Sequence, residues 1–344
     1  MIGSMRYLLG DYTTEGGPGL VVAGPDGLGT PAAVVNPSWV SVTDSAVYSL
    51  TETEPGYAAS WRLGPDFTLD RNGASRPTGG DNPCHAAVDP SGRWFLAANY
   101  GSAGGGSVAV FPIEADGSLG ESTVVHKLVG SGPDAERQAG PHAHQVVCHG
   151  GFVLVVDLGS DRIWSFRLTE AGLLDPVAST ELEPGFGPRH LAFIDDRAVL
   201  AGELANAVAV GTFDAGLGTF SFGPSIPLPD TDTADLAALP DIGLPEDAPR
   251  PYPAAVVPDP RLGLVYVTIR GTDQVAVIDP AAPALIRSVP VGASWPRDAV
   301  LGDDGTLLVA CQHGGVVMRV DPNGAEAPVR VWECGGVSSV APLT

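Results

Sequence analysis

Two short stretches set imidazoles and a guanidinium at the start of apolar runs. GPHAHQV at 140–146 carries His142 and His144, and GPRHLAF at 187–193 carries Arg189 and His190. Imidazole titrates near neutral pH and can take a proton from water, whereas guanidinium keeps its charge and presents a planar fork of donors to a carboxylate or phosphate. Aimed at one pocket, they suit proton transfer by imidazole beside arginines that hold a carboxylate or phosphate. Further candidates are His85 in NPCHAAV (82–88), Asn99 in FLAANYG (95–101), Glu203 in AGELAN (201–206), Arg270 in TIRG (268–271) and Arg297 in WPRDAVL (295–301). The chain has only 18 Lys plus Arg, so Arg189 and Arg270, at positions where related segments carry acids or amides, stand out. A guanidinium buried there requires a counter-charge, and Glu203 can supply it.

Plainer roles stand beside these. His85 and His142 could each simply bond neighbouring backbone. His142 and His144, two residues apart on one strand face, could begin a metal site completed by Glu52, Asn99 or Asp157, but no further ligand is fixed by spacing and the arginine pair would repel a cation. No metal and no cofactor are expected.

The elements that must position these residues repeat. One series of short runs, usually opened by proline, occurs about seven times: NPSWVSV (36–42), NPCHAAV (82–88), GPHAHQV (140–146), GPRHLAF (187–193), YPAAVVP (252–258), WPRDAVL (295–301) and GVSSVAP (336–342). A second series of alternating hairpins interleaves with it, from YLLGDYTTEGGPGLVVA (7–23) to LLVACQHGGVVMRV (307–320), with DxxG-like turns such as VDPSGRW (88–94) between the two. The last run lacks a following hairpin and the first hairpin lacks a preceding run. Joining them completes a seventh unit, as in an all-β, seven-bladed β-propeller whose ring is closed by pairing the C-terminal strand with the N-terminal hairpin. Residues 1–344 are then one propeller domain. If the first strand of each blade lines the channel, one face collects Asp11, Glu52, Asn99, Asp157, Glu203, Arg270 and Gln312 together with His85, His142, His144, Arg189, His190 and Arg297. The two Gly-Pro stretches would be one blade position used twice.

A formal charge of -22 opposes nucleic acid and anionic membrane surfaces as partners. Cys84, Cys148, Cys311 and Cys334 have no metal-type spacing and read as buried thiols. The first residues lack the basic and apolar regions of a secretory signal, and no apolar run reaches membrane-spanning length, so a cytoplasmic setting is expected. With aromatics at 7% and mostly inside hairpins, no exposed aromatic rim is expected. The Pro-rich, acidic stretch 224–253 departs from the rhythm; it is expected to form a surface excursion with one helical turn near Thr233 to Ala238, or a loop covering substrate.

Nearly the whole chain resembles the seven-bladed propeller lactonase family, which includes the propeller-type 6-phosphogluconolactonase and the 3-carboxymuconate lactonizing enzyme. The segments that carry the likeness are residues 82–121, GPHAHQV, VDLGSDRI (156–163), GPRHLAF, the GEL of 202–204, IRGTDQVAVI (269–278) and WPRDAVL. The resemblance implies an enzyme acting on a small anionic lactone, with His144, Arg189, Glu203 and Arg270 as catalytic residues; His85, His142, His190, Arg297 and Asn99 are the expected substrate-binding set. Where the family commonly reads Asn-Arg-Gly-His-Asp, this chain has Ile269, Arg270, Gly271, Thr272 and Asp273. A metal-dependent propeller lactonase and a non-catalytic binding propeller are the alternatives, since fold by itself does not settle function.

Overall fold

The structure, a computed structural model, describes residues 5–43, 46–101, 105–230 and 250–343. Of the stretch 224–253 expected to form an excursion, residues 231–249, with the helical turn expected near Thr233 to Ala238, lie outside the described residues. Seven antiparallel sheets follow one another along the chain. Their innermost strands are Trp39–Val42, Asp81–Val88, Ala143–His149, Pro188–Ile194, Tyr252–Asp259, Pro296–Leu301 and Val337–Leu343, and these define blades 1 to 7. In blade 7 the C-terminal strand Val337–Leu343 pairs with Arg6–Asp11, Leu8 opposite Ala341, and Val21–Gly24 and Gly27–Leu28 complete the sheet. The innermost strands touch in a closed cycle, each against the next and the last against the first.

Both faces of every sheet are covered by a neighbour, so the strands read as continuous apolar runs rather than clean alternation. Period-2 geometry divides each run between two interfaces. In FLAA of blade 2, Phe95 and Ala97 pack toward blade 1, whereas Leu96 and Ala98 pack toward blade 3. The same division recurs around the ring, giving one buried cluster per blade interface. The DxxG turns work as expected: Asp89 accepts from the backbone N–H of Ser91, Arg93 and Trp94, and Gly92 takes the positive φ of 69° that closes the turn.

The start of the innermost strand is where blade geometry becomes site geometry. A positive-φ residue marks it in five blades: Gly187, Trp295 and Gly336 stand directly before the strand, Asn36 three residues ahead of it, and Asn82 is its second residue. A β-bulge follows in six of the seven. A bulge adds one residue against its partner strand and re-aims the side chain there. Here the re-aimed positions carry Cys84, His144, the Arg189–His190 pair and Arg297.

Candidate active site

The bulges show why the two Gly-Pro stretches are not one position used twice. Pro188 lies opposite Gly202, the last residue of its partner strand, and Arg189 begins the bulge. In blade 3 the corresponding residue opposite the strand end Asp157 is Ala143, and His144 is the bulged residue. His144 therefore corresponds to Arg189 and Arg297, with its Gly-Pro two residues further back.

A parity rule sorts the polar residues at the ends of the second strands. Asp11, Asn99 and Asp157 stand in register with the innermost strand and turn into the blades, fully buried. Asp11 accepts from the N–H of Gly19. Asn99 donates to the Thr78 carbonyl at 3.2 Å and to Ser107 Oγ at 3.0 Å. Asp157 holds the N–H of His142 at 2.7 Å and the indole N–H of Trp164. One residue later the side chain changes face, and Tyr12, Tyr100, Glu203 and Gln312 join the polar clusters at the channel mouth, as do Glu52 and Arg270. Asn99 is thus built into blade 2 and is set apart from the cluster in which the other expected residues lie.

Glu203 is the centre of that cluster. Its Oε1 accepts from Arg137 Nη2 at 2.6 Å, and its Oε2 accepts from Arg270 Nη2 at 2.5 Å. Arg189 Nε stands 3.1 Å from Oε2, but its N–H is not aimed at the oxygen, so this contact is ionic rather than a hydrogen bond, and Nη1 of Arg189 is buried without a partner among the described residues. Burial would raise the Glu203 pKa, but Arg270, Arg189 and Arg137 overcome it and hold it at about 2. Burial, then the like charge of Arg270, lowers Arg189 to about 9. Three guanidiniums around one carboxylate leave an excess of two positive charges in a chain whose formal charge is -22.

Three buried imidazoles flank the arginines. His85 packs on Trp39 with ring centroids 4.0 Å apart and the rings tilted by 31°, and His190 meets His85 at 5.3 Å and His144 at 5.6 Å. Burial, and after it the charge of Arg189, depresses all three, His85 to about 3. His144 therefore does not have the ordinary imidazole pKa that a free histidine offers: it is neutral, a proton acceptor, in a positive field. Its Nδ1 lies 4.0 Å from Cys84 Sγ, and its Nε2 has no hydrogen-bond partner among the described residues. The thiol is no rival nucleophile, because burial raises its pKa far above the usual range. His142 sits higher, with Nδ1 2.8 Å from the Tyr100 carbonyl and its ring stacked on Tyr100 at 4.3 Å.

On the other side of the mouth Arg297 donates to the Tyr12 hydroxyl at 2.7 Å and to Gln312 at 3.4 Å. Tyr12 donates in turn to Glu52 at 2.7 Å, and Gln312 donates to Glu15. The ligands considered for a metal do not converge: Asn99 and Asp157 are turned into their blades, and Glu52 is engaged by Tyr12.

Sequence reasoning missed Arg137, Tyr12, Tyr100 and Trp295. The tyrosines could have been found, since each follows the buried polar residue by one and the period-2 rule carries it to the other face. Two part-buried aromatic rings also lie at the site: those of Tyr252 and Trp295 are centred 5.7 and 5.5 Å from the Arg270 guanidinium. Trp295 has φ 65°, a strained setting for a bulky residue. It is held there by its N–H bond to Asp273 at 2.7 Å and by stacking on His313. Arg137 comes from the segment between blades 2 and 3, outside both repeat series, and carried no signal. Of the four cysteines, Cys148 is only part-buried.

Comparison with known proteins places this architecture. The family described as lactonase, 7-bladed beta-propeller, matches residues 10–326. The 6-phosphogluconolactonase of Bacillus subtilis is 30% identical over 300 residues, covering 81% of this chain and 78% of that protein. Among solved structures, the periplasmic gluconolactonase of Pseudomonas aeruginosa superposes with TM-score 0.84 at 25% identity over 99% of both chains. A Lactobacillus plantarum protein does so with TM-score 0.83, also at 25% identity and 99% coverage of both.

Proposed function

The chain belongs to the seven-bladed β-propeller lactonase family, and from that premise we propose that it opens an anionic sugar-acid lactone of the 6-phosphogluconolactone type at the Glu203 cluster. The observation that carries this reading is the excess of guanidinium over carboxylate around Glu203, with Nη1 of Arg189 buried and unpartnered among the described residues. A buried donor left without a partner costs about 1–3 kcal/mol, and an oxyanion or an anionic substituent relieves that cost.

In this reading neutral His144 takes a proton from water as the water oxygen bonds to the lactone carbonyl carbon. Negative charge gathers on the carbonyl oxygen, where Arg189 meets it in a site largely closed to solvent. Glu203 orients Arg189 and Arg270 and keeps both charged. The bond from the carbonyl carbon to the ring oxygen then breaks, the proton held by His144 passes to that oxygen, and the hydroxy acid leaves as its carboxylate after losing its acid proton to solvent. His85 and His190 pack the floor of the site, while His142 and Arg297 border it. An incoming anion offsets the arginine charges that depress His144, so substrate itself raises the basicity of the base.

We take residues 1–344 as one propeller domain, on the closed cycle of innermost strands. No helix among the described residues is long and apolar enough to cross a membrane. Four unpaired thiols support a reducing, cytoplasmic setting, and the acidic surface speaks against nucleic acid and anionic membrane as partners.

The test is the initial rate of hydrolysis of freshly generated 6-phosphogluconolactone, with and without EDTA, for the wild type and for His144→Ala. The expected result is a rate that EDTA leaves intact and that the variant lowers by about 10²-fold or more. No rate above spontaneous hydrolysis would overturn the reading, full activity in the variant would remove His144 from its role, and loss in EDTA would turn the assignment to a metal-dependent lactonase.

A further inference from the structure

Arg137 belongs to neither repeat series. Its segment is pinned from below. Gln138, fully buried, donates to the Leu158 carbonyl at 2.9 Å and to Asp161 at 2.8 Å. Asp134 accepts from the backbone N–H groups of Glu136 and Arg137. The tight turn this makes lifts the Arg137 side chain over the edge of the site, where Nη2 bridges Glu203 Oε1 and the Tyr100 hydroxyl, the latter at 3.2 Å. Its Nε and Nη1 have no protein partner among the described residues.

The arginines around Glu203 differ in depth. Arg189 and Arg270 have side chains 3% and 7% exposed, whereas that of Arg137 is 37% exposed. The two deep guanidiniums can meet only what has already entered the channel. Arg137 faces the direction from which a ligand arrives, and a guanidinium with unpartnered donors takes phosphate oxygens in a two-pronged grip.

We propose that Arg137 is a specificity-determining residue, recognising the phosphate-bearing end of the substrate while the lactone ring lies at Arg189 and His144. This rests on the reading above that the substrate is an anionic lactone. Tyr100 and Glu203 Oε1 then serve as the rest that keeps the guanidinium extended over the mouth before substrate arrives, so that little side-chain freedom is lost on binding. A group so placed discriminates between lactones that share a ring and differ in the distal charge.

The experiment compares wild type, Arg137→Met and Arg137→Lys on 6-phosphogluconolactone and on unphosphorylated glucono-1,5-lactone, with KM and kcat separated. Calorimetry of 6-phosphogluconate binding to the same three proteins accompanies the kinetics. Arg137→Met should raise KM for the phosphorylated lactone on the order of tenfold or more beyond its effect on the neutral one. Arg137→Lys should recover part of the loss through charge without the fork. An equal change in KM for both lactones, or an equal fall in kcat on both, would overturn the inference, because it would mean that Arg137 acts only by positioning Glu203. If the wild type opens neither lactone, the proposed function falls and calorimetry decides the inference separately. Binding of 6-phosphogluconate weakened about tenfold or more in Arg137→Met upholds the anion site; equal affinities remove it.

Discussion

Glu203 and Glu52 occupy the same place in their blades and are put to different use. Each directly follows the second strand, and each donates its backbone N–H to the stretch leading into the innermost strand, Glu203 to the Gly187 carbonyl at 2.8 Å and Glu52 to that of Asn36 at 3.0 Å. Around Glu203 stand three arginines. Glu52 has a tyrosine hydroxyl at 2.7 Å and one arginine at 3.9 Å, and the nearby Glu15 adds a second carboxylate through Gln312. The Glu52 side is closed on itself and spans the junction where the chain ends meet. The Glu203 side carries surplus charge and an unpartnered donor, which is a poor arrangement for a resting protein and a good one for holding an anion. Polar residues at equivalent positions therefore do not share a role: the local balance of charge and donors separates a strut from a site.

The contrast breaks most directly at its two carboxylates. Glu203→Gln leaves three guanidiniums facing a neutral amide and should cost about 3–5 kcal/mol of stability, as removal of one member of a buried ion pair does. Glu52→Gln should cost about 1 kcal/mol. Urea unfolding of both variants measures the difference, and equal losses would dissolve the distinction.

Acid sharpens the comparison next. His85, His144 and His190 have folded-state pKa values below the unfolded value, so the unfolded chain binds more protons as pH falls below about 6.5, and the stability these groups contribute above that pH is lost toward the folded values. Asp298 and Asp11, raised by burial to about 6 and about 7, act with the opposite sign over pH 4 to 6. The difference between wild type and His190→Asn isolates the imidazole: its slope between pH 6 and pH 5 should approach about 1.4 kcal/mol per pH unit. A flat difference would place a charged histidine in the folded state and undo the account of the positive field. Phosphate or another bound anion should reduce that slope at the Glu203 side.

The smallest effect is expected at Tyr12. Tyr12→Phe removes the hydroxyl that joins Arg297 to Glu52 and should lower stability by about 1 kcal/mol with the KM for lactone changed less than by Arg137→Met. A KM effect as large as that of Arg137→Met would show that both sides of the mouth bind substrate.

Much of the blade plan was legible because it is local. Run, DxxG turn and hairpin recur in the chain, and each reports a backbone preference that acts over a few residues: Gly92 with positive φ, Asp89 accepting from its own turn, alternating apolar residues in FLAA. Asn99 shows where this stopped. Its place at the end of the second strand was plain, but a one-residue step decides whether such a side chain enters the blade or the mouth, and bulges that no spacing displays set that step. The same hidden bulges give His144, rather than the residue next to its proline, the place in blade 3 that Arg189 holds in blade 4.

The sequence by itself determined the seven-fold repeat, the closure of the last strand on the first hairpin and the residue types available for chemistry, because periodicity and turn preference are properties of neighbours in the chain. Only the tertiary structure decided that Glu203 gathers Arg137, Arg189 and Arg270, that three histidines are held neutral, and that an arginine from outside the repeats reaches over the site. Electrostatic energy depends on distance and burial between groups brought together around the ring, and residues 66 positions apart, such as Arg137 and Glu203, acquire that distance only when the ring is closed.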